Sequence, residues 1–179
     1  MKYPDITLDR IEAVWDKLGG KEGVARLLAG NAEVVVKNHV IDLNKQPYVP
    51  DGWTVAEHQG QGSQFIWDAS RVQLYLSSNQ RCGEIIEGSK LHEELAKRQV
   101  LNANVLDYLL ANPQLIPEEW KTDGNRNTRY VFFWGTIYRN SDGSLYVRHL
   151  CWFGGSWDWS HSWLGSGWSS SHSAALLAS

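Results

Sequence analysis

Three apolar runs separated by glycine turns occupy residues 130–164 and constrain the fold more than any other part of the chain. The runs read YVFFWGTIYR (130–139), LYVRHLCWF (145–153) and SWDWSHSWL (156–164). Aromatic and β-branched residues, which favour strands, dominate the first two runs. Asp142-Gly143 and Gly154-Gly155 lie between the runs, where tight hairpin turns favour glycine. The sequence therefore predicts three consecutive strands joined as hairpins.

The third run alternates between tryptophans and small polar residues. Its tryptophans are Trp157, Trp159 and Trp163, and the residues between them include Asp158, Ser160 and Ser162. Because successive side chains of a strand point to opposite faces, the indoles share one face and the polar residues share the other. The pattern predicts that the tryptophans pack inward and that the residues between them face solvent.

The last 31 residues combine large aromatic side chains with small, adaptable ones. Five of the ten tryptophans of the chain occur there: Trp152, Trp157, Trp159, Trp163 and Trp168. Serine, glycine and histidine occupy most of the remaining positions. Rigid aromatic anchors interleaved with residues that form adjustable hydrogen bonds are typical of a paratope. We therefore interpret the C-terminal segment as a binding surface.

The residues between the tryptophans share a property of their codons. Each can be encoded by a codon that arises from the asparagine codon AAC when only its adenines change. Lys, Glu, Gln and Met, which such changes cannot produce, are absent after Arg148. Ser173 shares the property, and the positions that we expect to contact a ligand are His149, Cys151, Phe153, Ser156, Asp158, Ser160, His161, Ser162, Gly165, Ser166, Gly167, Ser169, Ser170, Ser171 and His172.

This segment resembles the variable region of a target protein of a diversity-generating retroelement, in which adenine-directed mutagenesis rewrites a C-terminal stretch. The resemblance covers about one sixth of the chain, with a variable region at about 149–173. It implies a C-type-lectin-like fold and a non-enzymatic, receptor-like protein that recognises a changing protein or glycan ligand. In that case the tryptophans form a fixed frame and the residues between them vary.

Residues 1–30 predict a short helical hairpin that precedes the domain at 31–179. Thr7 can cap a first helix that Gly19-Gly20 ends, and a second helix follows as far as Gly30. Two short helices joined by glycine invite comparison with a helix-turn-helix. Their few basic residues are interleaved with acidic ones, which favours a structural hairpin that docks on the domain over a reader of DNA.

The segment between the hairpin and the three strands predicts an α+β domain. Strands are expected at Val34–Leu43, at 53–58 and once or twice within 64–76, with a flexible loop at 60–64. Two helices follow, the first capped by Ser89 and the second capped by Asn102. The second helix presents four apolar residues to one side, so we expect it to be central to the core.

Charge and cysteine content exclude several classes of partner. The net charge of −3 at pH 7 does not favour nucleic acid, and no run approaches the ~18 apolar residues of a membrane span. Without a signal peptide we expect a cytoplasmic protein, although surface display remains open.

The two cysteines, Cys82 and Cys151, are expected to be free thiols. No metal or other cofactor is expected, because the late loops offer only Asp142 and Asp158 as carboxylate ligands for calcium.

Two further functions were considered. A carbohydrate-binding module that stacks sugars on exposed tryptophans is the alternative to the variable receptor. A glycan-hydrolysing enzyme is disfavoured, because the C-terminal third has no pair of carboxylates near its aromatic residues. Glu118 and Glu119 are adjacent and diverge, so they are expected to act at a helix N-terminus. The sequence does not name the ligand or the oligomeric state.

Overall fold

The computed structural model describes residues 7–35, 38–60 and 64–178, which form two compact units. The division falls after Asn38, whereas the sequence placed the boundary after residue 30. Within the described residues, no helix is both long and apolar enough to cross a lipid bilayer.

The N-terminal unit is a hairpin of two short helices, α1 (Leu8–Lys17) and α2 (Gly20–Leu28). Gly19 connects them with a φ of 84°, a conformation that glycine adopts readily. Thr7 occupies the N-cap position as predicted, but its side chain makes no capping hydrogen bond. Throughout α1 and α2, both fully described, no side chain is buried.

In residues 39–60 and 64–178, which are the described part of the second unit, there are two α-helices and ten strands, in agreement with the predicted α+β class. Its strands are β1 (Val40–Asp42), β2 (Thr54–His58), β3 (Gln64–Ile66), β4 (Val72–Tyr75), β5 (Ile86–Glu87), β6 (Tyr130–Arg139), β7 (Leu145–Phe153), β8 (Ser156–Trp163), β9 (Gly167–Trp168) and β10 (His172–Leu177). Its helices are α3 (Gly88–Leu95) and α4 (Ala103–Ala111).

A six-stranded sheet organises this unit. Five strands follow the order β4-β10-β6-β7-β8, and β2 pairs with the second half of β6. The C-terminal strand β10 is inserted between β4 and β6, antiparallel to the first and parallel to the second. Two small sheets, β1-β3 and β5-β9, accompany it. The C-terminal segment is therefore paired inside the main sheet.

The three predicted consecutive strands are confirmed. The bounds of β6 and β7 match the prediction, and β8 ends one residue earlier than expected. Gly154 and Gly155 have φ values of 60° and 87°, which a two-residue hairpin turn requires and which β-carbons disfavour. From Tyr146–Trp163 to Phe153–Ser156, β7 and β8 pair without a bulge. The alternation of side chains along β8 therefore stays in phase.

The main sheet has a core on each face. On the α4 face, residues of β6 and β7 such as Val131, Phe133 and Leu150 pack in one cluster with α4. On the α3 face, Phe132, Ile137, Val147 and their neighbours cluster with α3 and Trp168.

Helix α4 is fixed by its capping residue. The Asn102 side chain accepts a hydrogen bond from the Asn104 amide at 3.2 Å and donates to the carbonyls of Leu43 and Gln59 at 2.8 and 3.0 Å. A β-carbon at Gly135 would lie only 2.8–3.0 Å from atoms of Asn102. Asn102 therefore joins two loops, a helix and the central strand, as the predicted cap of a core helix should.

Two local predictions fail. The strand expected at Val34–Leu43 is confirmed only as β1, since Val34 and Val35 are exposed and lie outside any strand; residues 36 and 37 lie outside the described residues. β-Branched residues favour a strand only where a partner strand covers them. The N-cap of α3 is Glu87 rather than Ser89, because the helix begins where β5 ends.

The two remaining strand predictions between residues 50 and 80 are confirmed. β2 lies at the position expected for 53–58, and β3 and β4 are the two strands expected within 64–76. The loop predicted at 60–64 falls largely on residues 61–63, which lie outside the described residues.

Candidate ligand-binding surface

Strand β8 separates its tryptophans from its small polar residues. Trp157 and Trp159 are half-buried against the core of the α4 face. On the α3 face, Asp158 and Ser160 are exposed and Ser162 is half-buried. The alternating sequence predicts this arrangement for residues 157–162. His161 is the exception, because it lies on the same face as the tryptophans. The backbone of the strand is thus anchored from one side and presents changeable residues on the other.

Two of the predicted ligand-contacting residues are buried beneath this surface. His149 and Cys151 lie on β7 directly opposite Ser160 and Asp158, and they are only 5% and 8% exposed. We predicted that they would face solvent, and that expectation is wrong. The reason is that β7 lies between β6 and β8, so side chains of neighbouring strands cover its α3 face.

Tyr130 is a member of this region that sequence reasoning missed. Its ring meets His149 edge-on at 5.1 Å and stacks on His172 at 5.4 Å, both measured between ring centroids. Tyr130 is half-buried and links β7 with the start of β10. Tyr130 precedes the tryptophan-rich segment. The only sequence signal that could have indicated its role is its position at the start of a strongly apolar strand.

The segment between β8 and β10 crosses the α3 face with its backbone fixed. The carbonyls of Leu164 and Ser166 accept hydrogen bonds from the amides of Ser89 and Gly88 at 3.0 and 3.1 Å. The side-chain amide of Gln80 donates to the carbonyls of Ser169 and His172, both at 2.9 Å. The fully buried Trp168 anchors the centre of the segment.

The side chains of this segment differ in exposure. Gly165, Gly167 and Ser170 are exposed, whereas Ser166 is half-buried. Ser169 and Ser171 are half-buried, and their hydroxyls lie 3.0 and 3.3 Å from Nδ1 of His172. We call the group that lies on this face with solvent access the serine surface; it comprises Asp158, Ser160, Ser162, Gly165, Ser166, Gly167, Ser169, Ser170 and Ser171.

The remaining predicted residues lie elsewhere. Phe153, which is 76% exposed, and Ser156 are at the turn between β7 and β8. His161 points to the α4 face, where its ring lies 4.8 Å from that of Trp53 and 5.2 Å from that of Tyr146. The structure therefore brings most of the predicted set together, places Phe153 and Ser156 at the adjoining turn and separates His161 from the set.

The tryptophan frame is only partly buried. Lys121 lies 3.7 Å above the ring of Trp152, which meets Trp157 edge-on at 5.4 Å. Trp163, however, is 49% exposed, so the prediction that the tryptophans pack inward is wrong for this residue. It lies at the end of an edge strand, and its ring occupies the space where a β-carbon of Gly165 would be.

A buried arginine supports the frame from the α4 face. The guanidinium of Arg148 lies 4.2 Å from the ring centroid of Trp159 and 5.1 Å from that of Tyr48. Its Nη2 donates to the Asp107 carboxylate at 2.7 Å. Arg148 is 1% exposed, and this ion pair and the two aromatic rings stabilise its charge, while its Nε and Nη1 have no hydrogen-bond partner among the described residues.

The buried groups under the serine surface are uncharged near neutral pH. Burial lowers the pKa of His149 to about 3, helped by the nearby charges of His172 and His161. Burial also lowers the pKa of His172. The pKa of the Cys151 thiol is raised, mainly by burial and to a smaller extent by the negative charge of Asp158. A protonated thiol and neutral imidazoles offer hydrogen bonding and packing rather than an activated nucleophile.

Other potential sites are few. Among the described residues, no group of three or more His, Cys, Asp or Glu side chains is placed to hold a metal ion. Both cysteines are free, Cys82 exposed and Cys151 buried. A cleft of about 820 Å³, which the sequence did not predict, lies beside α4; residues lining it include Asp42, Lys45, Tyr48, Asp107 and Tyr108.

Comparison of the chain with protein families, with curated proteins and with solved structures finds no match. The functional interpretation therefore depends on the sequence pattern and on the geometry of the serine surface.

Proposed function

We propose that this protein is a non-enzymatic ligand-binding protein whose C-terminal surface is diversified by adenine-directed retroelement mutagenesis on a C-type-lectin-like fold. The serine surface is the ligand-binding face, together with Phe153 and Ser156 at the adjoining turn. The ligand is a protein or a glycan whose identity changes with the variable residues.

The observation that carries this proposal is that β8 places its tryptophans on one face and its small polar residues on the other. Trp157 and Trp159 anchor the strand on the α4 face, while Asp158, Ser160 and Ser162 lie on the opposite face. A surface that must change without unfolding requires such a separation, because substitutions at solvent-facing positions seldom alter stability by more than about 0.5 kcal/mol. The same residues are of types that can be encoded by codons derived from AAC through adenine changes.

The chemistry of the surface also fits recognition. It carries one charged residue, Asp158, so binding would depend on shape and hydrogen bonds rather than on long-range attraction. Serine and glycine contribute complementarity, whereas exposed aromatic residues such as Phe153 contribute most of the binding energy in typical interfaces. Buried His149 and Cys151 support the surface from below and contact a ligand only indirectly.

Carbohydrate binding is the second candidate, and one observation favours it. Trp163 is exposed, as a platform for stacking a sugar ring must be. In contrast, Trp168 is buried and Trp152, Trp157 and Trp159 are half-buried, which leaves a single open indole in the C-terminal segment.

Simultaneous substitution of β8 tests the proposal. Asp158, Ser160 and Ser162 changed together to tyrosine should leave cooperative thermal unfolding intact and lower the midpoint by only a few degrees, because all three lie on the open face. The matched change of Trp157 and Trp159 to serine should abolish the transition or lower it sharply. A collapse of the tyrosine variant comparable to that of the serine variant would refute the variable-surface interpretation.

Sequencing the locus adds an independent check: a repeat that differs only at adenines should lie nearby.

A further inference from the structure

Strand β8 is the last strand at one end of the main sheet, and its hydrogen bonds show which of its backbone groups face outward. The amide of Leu164 donates to the carbonyl of Leu145 at 2.9 Å, and β7 and β8 pair without a bulge. In an antiparallel pair, alternate residues direct both backbone groups to the neighbouring strand, and the residues between them direct both away. The even-numbered residues of β8 therefore bond to β7. The odd-numbered residues, here called the outward residues, are Trp157, Trp159, His161 and Trp163.

The backbone groups of the outward residues have few partners. Among the described residues, no strand pairs with this edge of β8. Two local contacts occur there. The amide of Trp159 donates to Oδ1 of Asp158 at 2.7 Å, and the carbonyl of Trp163 accepts from the amide of Ser166 at 3.1 Å. The first contact agrees with the outward direction, because an amide bonded to β7 would not donate to Asp158.

Strand β8 lacks most of the features that keep edge strands from pairing. Such strands are commonly short, bulged or protected by proline or lysine. β8 has eight residues, contains neither proline nor lysine, and pairs with β7 in continuous register. Its one protecting feature is the Asp158 carboxylate on the amide of Trp159. The complement of this edge is therefore another extended backbone.

The order of residues in β8 indicates which backbone. Residues 157–163 read WDWSHSW, so aromatic and small side chains alternate symmetrically about Ser160. When two copies of β8 pair antiparallel about a twofold axis at Ser160, all outward residues of one copy lie opposite outward residues of the other, as backbone hydrogen bonding requires. Centring the axis one residue to either side would leave one outward residue of each copy without a partner.

Charge and exposure favour the same register. Asp158 of each copy lies opposite Ser162 of the other, so the two carboxylates do not face each other and each can accept a hydrogen bond from a serine hydroxyl. Trp163, which is 49% exposed, lies opposite Trp157 of the second copy on the same face of the sheet. The pairing thus covers the most exposed indole of the C-terminal segment.

We propose that β8 pairs antiparallel with β8 of a second copy of this chain about a twofold axis at Ser160, so that the two main sheets join into one. Pairing requires the Asp158 carboxylate to release the amide of Trp159, and the contact consists of one pair of strands. The dimer therefore dissociates on dilution.

Pairing through β8 would bring two ligand-binding surfaces together. The twofold axis is perpendicular to the joined sheet, so the α3 faces of both copies lie on the same side. If the proposed function is correct, the two serine surfaces adjoin, and a ligand that contacts both binds with higher apparent affinity. Only this consequence rests on the proposed function. The pairing itself is measured without ligand, so the two ideas fail separately.

Sedimentation equilibrium of the full chain over a range of concentrations tests the pairing. The wild type should show a reversible monomer–dimer equilibrium. His161→Pro removes an outward N–H and should abolish the dimer without unfolding the sheet, because an edge strand tolerates proline where its nitrogen faces away from the sheet. His161→Ala keeps the backbone group and should retain the dimer. A wild type that is monomeric at every concentration, or a dimer that persists in His161→Pro, would overturn the proposal.

Opposite substitutions at Ser162 test the register without altering the backbone. Ser162→Lys places a positive charge opposite Asp158 of the second copy and should lower the dimer dissociation constant. Ser162→Asp places two carboxylates opposite each other and should raise it, each change being roughly two- to tenfold. Adding Asp158→Ala to both variants should remove most of the difference between them. A shift in the same direction for both variants, or a difference that survives Asp158→Ala, would overturn this register.

Cysteine cross-linking tests the position of the twofold axis. In a Cys82→Ser background, Ser160→Cys should form a disulfide-linked dimer on mild oxidation, because the axis places residue 160 of both copies face to face in a non-hydrogen-bonded pair. Ser156→Cys is also exposed, but it lies roughly 27 Å from its counterpart in this register and should cross-link far more slowly. Equal rates for the two variants would overturn the proposed pairing.

Discussion

His149 and Arg148 are consecutive residues of β7, and they illustrate how one strand provides two different supports. Arg148 points to the α4 face, where it pairs with Asp107 and contacts Trp159. His149 points to the α3 face, where it lies beneath Ser160 and against Tyr130. Neither is free to contact solvent, yet both adjoin the strand that carries the candidate ligand contacts. Substitution of either should therefore change stability more than ligand specificity.

Burial of His149 makes stability depend on pH. Its pKa is about 3 in the folded protein against 6.5 for the free side chain, so the unfolded state binds a proton first as the pH falls. The stabilisation is complete above about pH 6.5 and decreases by up to about 1.4 kcal/mol per pH unit as the pH falls toward 3. Denaturant unfolding measured between pH 7 and pH 4 should show this slope, and His149→Phe should flatten it. His161→Phe, at an exposed position, should change it much less. An unaltered slope in His149→Phe would assign the acid sensitivity to another group.

Removal of Asp107 should be costly because it leaves Arg148 without its counterion. Breaking a fully buried ion pair from one side typically costs about 3 kcal/mol or more, and here Arg148 is buried while Asp107 is 32% exposed, so about 3 kcal/mol is the upper end of the expected loss. Asp107→Asn should therefore lower the free energy of unfolding by about 1–3 kcal/mol, measured by urea unfolding. Adding Arg148→Met to the same chain should restore most of the loss. If Asp107→Asn alone were neutral, the contacts of Arg148 with Trp159 and Tyr48 would suffice to stabilise the charge.

At the scale of elements, helix α4 shows how a single polar residue connects several segments. Asn102 caps the helix and also donates to the carbonyls of Leu43 and Gln59. Ser89, which the sequence predicted as a cap, instead lies inside α3, where its hydroxyl contacts only the Glu87 carboxylate at 2.6 Å. The sequence predicts the same capping role for both residues. They differ in the segments that surround them in the fold.

These two positions make a matched pair for measurement. Asn102→Ala removes a cap and the side-chain donor to the Gln59 carbonyl, whereas the Leu43 carbonyl keeps its hydrogen bond from Nε2 of His58 at 3.0 Å. The substitution should therefore lower the free energy of unfolding by about 2 kcal/mol. Ser89→Ala removes one exposed contact and should cost less than about 0.5 kcal/mol. Denaturant unfolding of both variants checks the prediction, and equal losses would show that the network around Asn102 contributes little beyond an ordinary cap.

At the scale of the whole molecule, the two units should differ in local stability. Strands β6 and β7 and helix α4 contain many fully buried side chains, whereas α1 and α2 contain none. Amide hydrogen exchange followed by mass spectrometry should therefore show slow exchange in β6, β7 and α4 and rapid exchange in α1 and α2 of dilute protein. Equal protection in both units of a dilute sample would mean that the hairpin is stabilised within the monomer.

The sequence by itself determined the features that depend on near neighbours along the chain. Strands β6, β7 and β8, the glycine turn at 154–155, the cap at Asn102 and the alternation along β8 could be predicted, because strand periodicity and turn chemistry are local. The tertiary structure decided which side chains are covered. His149 and Cys151 are buried because β7 is interior to the sheet, Trp163 is exposed because β8 is at its edge, and Val34 and Val35 form no strand because no partner pairs with them. Burial depends on segments distant in sequence, and no local pattern specifies them.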